Sequence, residues 1–176
     1  GLLRQQLGKS RTPEEIAVYH LRASEWYEKN GYPTQAFHHA VSAGDFNRAT
    51  MLAEKHWRGM NESFQMATWL GWVKRLSDEL VDARPVLNVW YACALLGRGE
   101  MEAAEARLKD AERWLVSADT MKVQLETLPV ETCPEPSRRM VVVDKKQFKS
   151  LPATIAIGRA YIALALGNIP DTVRYA

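Results

Sequence analysis

The chain has 176 residues, which is enough to bury a hydrophobic core without a metal ion or a disulfide. Its net charge is only +2 and no dense run of lysine and arginine occurs, so nothing in the charge balance favours nucleic-acid binding. The two cysteines lie far apart, and neither a signal peptide nor an apolar run of membrane-spanning length is present. These features predict a cytoplasmic protein without membrane contact.

Helical periodicity covers most of the chain. Thr12-Pro13-Glu14-Glu15 combines a threonine N-cap, a first-turn proline and a capping-box glutamate, and Asn30-Gly31 ends this first predicted helix. Pro33 begins a short second helix that Gly44 closes. A third helix begins near Phe46, because apolar residues recur from there at helical spacing.

The middle of the chain predicts four further helical segments. A fourth helix, over residues 61–76, is apolar on more than one face and is expected to be buried on two sides. Residues 77–80 predict a single capped turn. The next helix, Pro85–Leu96, is expected to be central because Asn88 is its only strongly polar residue. Residues 100–115 predict an outer helix with one buried face.

The helical pattern breaks after Val116. Pro129, Pro134 and Pro136 fall within a short span and prevent a continuous helix, so we predict an irregular loop insertion over about 118–149. A loop of this length is either a tolerated insertion at a surface turn or a functional lid. Helix resumes at Pro152 and continues through Leu166.

Three glycine turns share one pattern. Gly44, Gly99 and Gly167 each follow an Ala-rich apolar run, and each is followed by a polar residue and then by a small residue. A glycine that ends one helix and a polar residue that starts the next are typical of an antiparallel helix pair. Repeated pairs of this kind build a helical solenoid.

The Gly99 copy fits the spacing of the tetratricopeptide repeat, which places small residues at set distances before and after the glycine. Those positions hold Ala92, Ala104 and Ala111. The Gly44 and Gly167 copies match less completely, which indicates unequal helices. We therefore predict an all-α fold, a right-handed superhelix of antiparallel, tetratricopeptide-like helix pairs with one long irregular insertion.

The first helix of each pair lines the concave surface in tetratricopeptide geometry. Counting from the two later glycines places seven apolar residues on that surface: Val86, Val89, Cys93, Leu96, Ile157, Tyr161 and Leu164. Such a lining suits an apolar helix, a neighbouring repeat or a small ligand. The alternative is that neighbouring helices cover it, because large exposed apolar patches are uncommon on soluble monomers.

Trp69 and Trp72 are further binding candidates, because aromatic faces stack on sugars and other flat ligands, although tryptophans are more often core residues. No serine, cysteine or carboxylate constellation indicates catalysis, and the four histidines lack the spacing of zinc ligands. We therefore predict neither catalytic nor metal-binding residues, and expect that the chain is not an enzyme.

Two adjoining segments resemble a known family. His20-Leu-Arg-Ala-Ser-Glu-Trp-Tyr-Glu-Lys-Asn-Gly31 and Gln35-Ala-Phe-His-His-Ala-Val-Ser-Ala-Gly-Asp-Phe-Asn-Arg-Ala49 are similar to a junction in the MalT-like, ATP-dependent LuxR-family transcriptional regulators. In that family a winged-helix lobe gives way there to a helical repeat region. The resemblance implies that residues 1–11 end such a lobe. Residues 12–176 then form a helical repeat domain truncated at its C-terminal end.

The resemblance also implies a function. In such a bacterial regulator an upstream domain binds ATP and a downstream helix-turn-helix binds promoters, so the present region needs no cofactor and does not contact nucleic acid. It is expected to be a non-catalytic sensor that couples binding of a small-molecule inducer or a protein partner to activation. The alternative is a general tetratricopeptide-like adaptor for protein–protein interaction, unrelated to transcription. The oligomeric state is left open.

Overall fold

The computed structural model describes residues 12–125 and 140–175, and the regular structure in these ranges is entirely α-helical. The all-α class is therefore confirmed for the described residues. None of the helices described is both long and apolar enough to cross a membrane. Nine helices lie in these ranges: α1 (Pro13–Lys29), α2 (Pro33–Ser42), α3 (Phe46–Glu62), α4 (Met66–Val73), α5 (Asp78–Asp82), α6 (Pro85–Leu96), α7 (Met101–Leu125), α8 (Lys145–Ala165) and α9 (Ile169–Tyr175).

The helices group into two compact units that divide after Leu76. The first unit holds α1 to α4, and the second holds α5 to α9. The single repeat domain predicted for residues 12–176 stays a prediction. The lobe predicted for residues 1–11 lies outside the described residues.

The first unit is a chain of helices in which α2 packs on α1, α3 on α2, and α4 on α3. The predicted capping box at Thr12 is present at the start of α1. Phe37 stacks on Trp72 in the core, with ring centroids 4.7 Å apart. Trp69 Nε1 donates a hydrogen bond of 2.8 Å to the Ala53 carbonyl, so α4 is bonded to α3 as well as packed on it.

A half-buried ion cluster joins α1 to α3. Glu28 accepts from Arg48 at 2.6 Å and from Lys55 at 2.8 Å, and Arg48 Nε donates to Ser24 Oγ at 2.8 Å. Burial raises the pKa of Glu28, but the hydrogen bonds and charges of Lys55 and Arg48 outweigh it, so the net shift of that pKa is downward. The cluster therefore favours an ionised Glu28, and Ser24 Oγ extends it to α2 by donating to the Ala36 carbonyl.

The fourth helix is predicted over residues 61–76, and the predicted position of its first residue is wrong. Helix α3 continues through Glu62, the chain turns at Phe64, and α4 begins only at Met66. Phe64 has a φ of 59°, and the amide of Gln65 donates to the Met60 carbonyl at 2.7 Å, which is the bonding of a Schellman helix end. The turn was missed because this conformation favours glycine, and a bulky residue occupies it here.

Four glycines adopt the same left-handed conformation at the other tight helix ends: Gly31, Gly44, Gly99 and Gly167. Among the described residues, Phe64 is the one non-glycine with a positive φ. Its side chain is 96% exposed, so no packing compensates for the strained backbone.

The second unit is built around α6, against which α5, α7 and α8 all pack, while α9 packs on α8. The predicted central position of this helix is confirmed, since ten of its twelve residues are buried. Helix α8 approaches closely through Gly158. A methyl group at this glycine would lie 3.1 Å from Leu108 Cδ1 and 3.8 Å from Leu96 Cδ1, so the contact requires a glycine or a shift of the leucines.

The loop insertion predicted for about 118–149 is too long at both ends. Helix α7 continues to Leu125 and α8 begins at Lys145, so Pro152 lies inside a helix rather than at its start. The true N-cap is Asp144, whose Oδ1 accepts from the amides of Lys146 at 2.8 Å and Gln147 at 3.2 Å. The prediction failed because proline is favoured in the first helical turn, whereas Pro152 lies in the interior of α8. Residues 126–139 of the predicted loop lie outside the described residues.

Replacing Phe64 with glycine is expected to stabilise the first unit by about 0.5–1 kcal/mol, because it removes left-handed strain and sacrifices no packing. Urea unfolding of the chain, followed by tryptophan fluorescence, measures the change. Phe64→Asn is expected to gain less, and Phe64→Ala to gain nothing, since alanine is strained in the same way. An equal gain from Phe64→Ala would contradict backbone strain as the cause.

Candidate functional site

The predicted concave lining on α6 is buried. Val86, Val89 and Leu96 are core residues, with Val89 0% and Leu96 8% exposed. Cys93 is half-buried, and burial raises the pKa of its thiol, so the sulfur is protonated and unreactive at neutral pH. The alternative of covering helices therefore holds on this helix, because α7 and α8 both pack against it.

The two tryptophans are also core residues. Trp69 is fully buried and bonded to the Ala53 carbonyl, and one ring face of Trp72 is covered by Phe37. Neither ring presents a free face, so the stacking role predicted for Trp69 and Trp72 gains no support from their positions. The periodicity of α4 indicated burial on two sides, and this explains the outcome.

The predicted residues on α8 have the opposite environment. Ile157 is 70% exposed, Leu164 is 63% exposed, and Tyr161 between them is half-exposed. Their spacing places them in one stripe on the side of α8 that faces away from the buried stripe containing Ile155 and Ile162. Helix α8 is therefore apolar on two sides, and only one of them is covered.

Sequence reasoning missed three exposed apolar residues at the end of α8 and on α9. Leu166 lies directly after α8, and Ile169 and Val173 lie one turn apart on α9, each at least 70% exposed. Their spacing around Gly167 was a usable signal, since Ile169 and Val173 share a helix face. We call the six residues the α8–α9 apolar set: Ile157, Tyr161, Leu164, Leu166, Ile169 and Val173.

Arg159 fixes the helices that carry this set. Its guanidinium makes two hydrogen bonds of 2.9 Å to Glu112 and lies 3.4 Å from Glu105, so α8 is bonded to α7 at two points. Its Cζ also lies 5.9 Å from the ring centroid of Tyr175 on α9. The hydrogen bonds to Glu112, outweighing burial, raise the pKa of Arg159, which stays charged. Contacts of this kind hold α7, α8 and α9 in one arrangement.

The two helix pairs of this unit share one register. The amide of Gly99 donates to the Leu96 carbonyl at 2.9 Å, and the amide of Gly167 donates to the Leu164 carbonyl at 3.1 Å. Counting back from each glycine therefore aligns Leu96 with Leu164, and likewise Val89 with Ile157. The same register positions are covered on α6 and exposed on α8. Leu96 shows what covers such a position, because it lies against α8 at Gly158.

Comparison with known proteins gives partial matches. The chain is 38% identical over 79 residues to the serine/threonine-protein kinase PknK of Mycobacterium tuberculosis, and equally to that of Mycobacterium bovis. The match covers 45% of this chain but only 7% of each kinase, so the kinase activity of those relatives is not transferred to it. No family model matches the chain, and no solved structure matches it.

Because Leu96 and Leu164 occupy the same register position, one substitution made at both positions compares the buried with the exposed environment. We expect Leu96→Ala to cost about 2–5 kcal/mol of unfolding free energy, because it leaves a cavity under α8. The identical change at the aligned position, Leu164→Ala, is expected to stay within about 0.5 kcal/mol of wild type, since that side chain faces solvent. Urea denaturation of both variants measures the difference. Similar losses at both positions would show that something already covers Leu164.

Proposed function

We propose that this chain is a non-catalytic, tetratricopeptide-like interaction region of a cytoplasmic bacterial transcriptional regulator of the MalT-like LuxR type. It couples the binding of an inducer or a protein partner to activation of that regulator. The observation that carries the proposal is the exposure of the α8–α9 apolar set, in which Ile157 and Leu164 occupy register positions that are covered on α6.

The chemistry of the set favours a protein helix as its partner. Five of its six side chains are aliphatic, so they lack the hydrogen-bonding groups that would orient a sugar or another polar inducer. Their burial would contribute about 25 cal/mol for each Å² of apolar surface removed from water. On α6 the aligned residue Leu96 is covered by a helix with a glycine at the contact, since a Cβ at Gly158 would lie 3.8 Å from Leu96 Cδ1. An apolar helix with a small residue at that point therefore fits the set best.

Binding at this surface activates a regulator only if the occupant prefers one of its states. A partner with equal affinity for the resting and the active arrangement shifts no equilibrium. Because Arg159 ties α7 to α8 and lies over Tyr175 of α9, occupation of the set acts on three helices at once. This region supplies the binding energy, whereas ATP and promoter DNA are expected to bind other domains.

Two different observations support the two levels of the proposal. The match to a segment of a much longer mycobacterial protein kinase supports a place inside a multidomain bacterial signalling protein. The assignment to transcription depends on the resemblance of residues 20–49 to the MalT-like family. The second candidate, a general adaptor, uses the same surface without a link to transcription.

A photo-crosslinking residue tests the surface in the full-length natural protein. Benzoylphenylalanine in place of Tyr161 is expected to crosslink to an apolar helix, whereas the same residue in place of the exposed Ala106 on α7 is expected to give none. The paired change Ile157→Ser and Leu164→Ser is expected to abolish the crosslink. It should also abolish the changes in transcript levels that the regulator causes in its own bacterium, which RNA sequencing measures. The matched pair Ala103→Ser and Ala106→Ser, at exposed positions, should leave both unchanged.

The outcomes separate the candidate functions. Loss of the crosslink together with the transcriptional response supports the regulator. Loss of the crosslink with an unchanged transcript profile overturns the link to transcription and leaves the adaptor. If Tyr161 crosslinks no more than Ala106 does, the interaction surface itself is wrong.

A further inference from the structure

Two histidines meet between the first two helices. His20 Nδ1 on α1 lies 2.8 Å from His39 Nδ1 on α2. The His39 ring is also stacked on Tyr27 of α1, with ring centroids 5.3 Å apart and an angle of 11° between the planes. We call His20 and His39 the histidine pair. Neither the register of the repeats nor the α8–α9 apolar set requires it.

The geometry limits the number of protons that the pair can hold. A bond between two Nδ1 atoms needs one nitrogen that donates its proton and one that is bare and accepts. The donating ring can be neutral or charged without breaking the bond. The accepting ring cannot be protonated on Nδ1, because the two rings would then present facing donors and two like charges at 2.8 Å. The pair therefore tolerates one positive charge but opposes a second.

The surroundings do not offset a second charge. Burial lowers the pKa of His39, and His20 and His38 lower it further. No carboxylate is among the groups that shift this pKa, although α3 and α1 carry several acids. The nearby acid Glu28 of α1 is bonded to Arg48 and Lys55 of α3.

The other histidines of this unit face different groups. His38, the neighbour of His39 on α2, contacts Arg75 Nη1 at 3.3 Å rather than the pair. The pKa of His56 on α3 is lowered by burial and by Lys55 and raised by Glu28, so it responds to the ion cluster. Tyr27 contacts His39 through its stacked ring.

We propose that the histidine pair is an acid-sensitive lock between α1 and α2, which holds the hairpin closed near neutral pH and weakens it when both rings become protonated. Acidification breaks the Nδ1–Nδ1 bond and disturbs the stacking of His39 on Tyr27. Acidification therefore destabilises the α1–α2 hairpin of the first unit.

The direction of the effect follows from the pKa of His39. That pKa is lower in the folded chain than its unfolded value of about 6.5. The unfolded chain therefore binds more protons in the interval below about pH 6.5. The contribution of His39 to stability is fully present above that value. It is lost as the pH falls toward the lowered pKa of the folded state.

The side chains described around the histidine pair favour a hydrogen bond between the two rings rather than a metal site. Within residues 12–125 and 140–175, no group of three or more histidine, cysteine, aspartate or glutamate side chains is arranged to hold a metal ion. A hydrogen bond between the rings accounts for their separation without a bridging ion. Adding a chelator to every sample keeps trace metal from mimicking the bond.

The test compares thermal unfolding of the intact chain between about pH 7.5 and about pH 5, the range in which histidine titrates. Glutamine keeps a donor and an acceptor but cannot be protonated in this range. We therefore expect His39→Gln to lose less stability on acidification than wild type does, by about 3–6 °C in Tm. His38→Gln is the matched control, since it removes the adjacent histidine and leaves the pair. It relieves only the charge of His38 on His39, so its profile should lie closer to wild type than that of His39→Gln does.

A second measurement needs no variant. In an NMR titration of the wild-type chain, the ring signals of His39 should shift at a pH below the ordinary histidine value, because burial and the His20 ring lower the pKa of His39. A His39 curve with its midpoint at the ordinary value of about 6.5 would overturn the lock. So would parallel Tm profiles for wild type and His39→Gln. If His39→Gln does not fold, His20→Gln serves in its place with the same expectations.

Discussion

The helical arrangement depends on one backbone requirement: a residue with positive φ just beyond the helix, where the chain turns back on itself. The amide of that residue and the amide of the next one bond to carbonyls of the helix that has just ended, as the amides of Gly99 and Glu100 do to Leu96 and Leu95. The following helix then packs beside the one before. These short turns bring the apolar stripes of successive helices together, so the core of each unit depends on them.

The packing of the apolar stripes explains why the same register position is buried on one helix of the second unit and exposed on another. Helix α6 is covered by α7 and α8, whereas α8 is covered by α6, α7 and α9 on part of its circumference only. Leu96 and Leu164 are both leucines at the same register position, yet Leu96 is buried and Leu164 is exposed. Exposure here is a property of what lies next to the helix. This is why the α8–α9 apolar set, rather than its counterpart on α6, is the candidate surface.

Much of the fold could be predicted from the sequence because its signals are local. The capping box at Thr12 and the glycine turns were read directly, and the apolar character of α6 correctly indicated its central position. Two local signals misled. Phe64 occupies a turn position that normally holds glycine, and Pro152 lies inside α8 although proline usually opens a helix. In both cases the chain adopts a local conformation that intrinsic propensity disfavours, so a prediction from propensity fails there.

The candidate sites were less predictable because they depend on contacts between helices. Trp72 has the same ring whether it faces a ligand or Phe37, and only the packing of α2 against the rest of the unit decides between them. The histidine pair shows the same limit. His20 and His39 are distant in sequence and each lies on a helical stripe that reads as ordinary packing. Only the turn at Gly31 folds α2 back on α1 so that the two ring nitrogens come within 2.8 Å. A left-handed glycine therefore creates the proton-sensitive contact, although the glycine itself neither binds nor titrates.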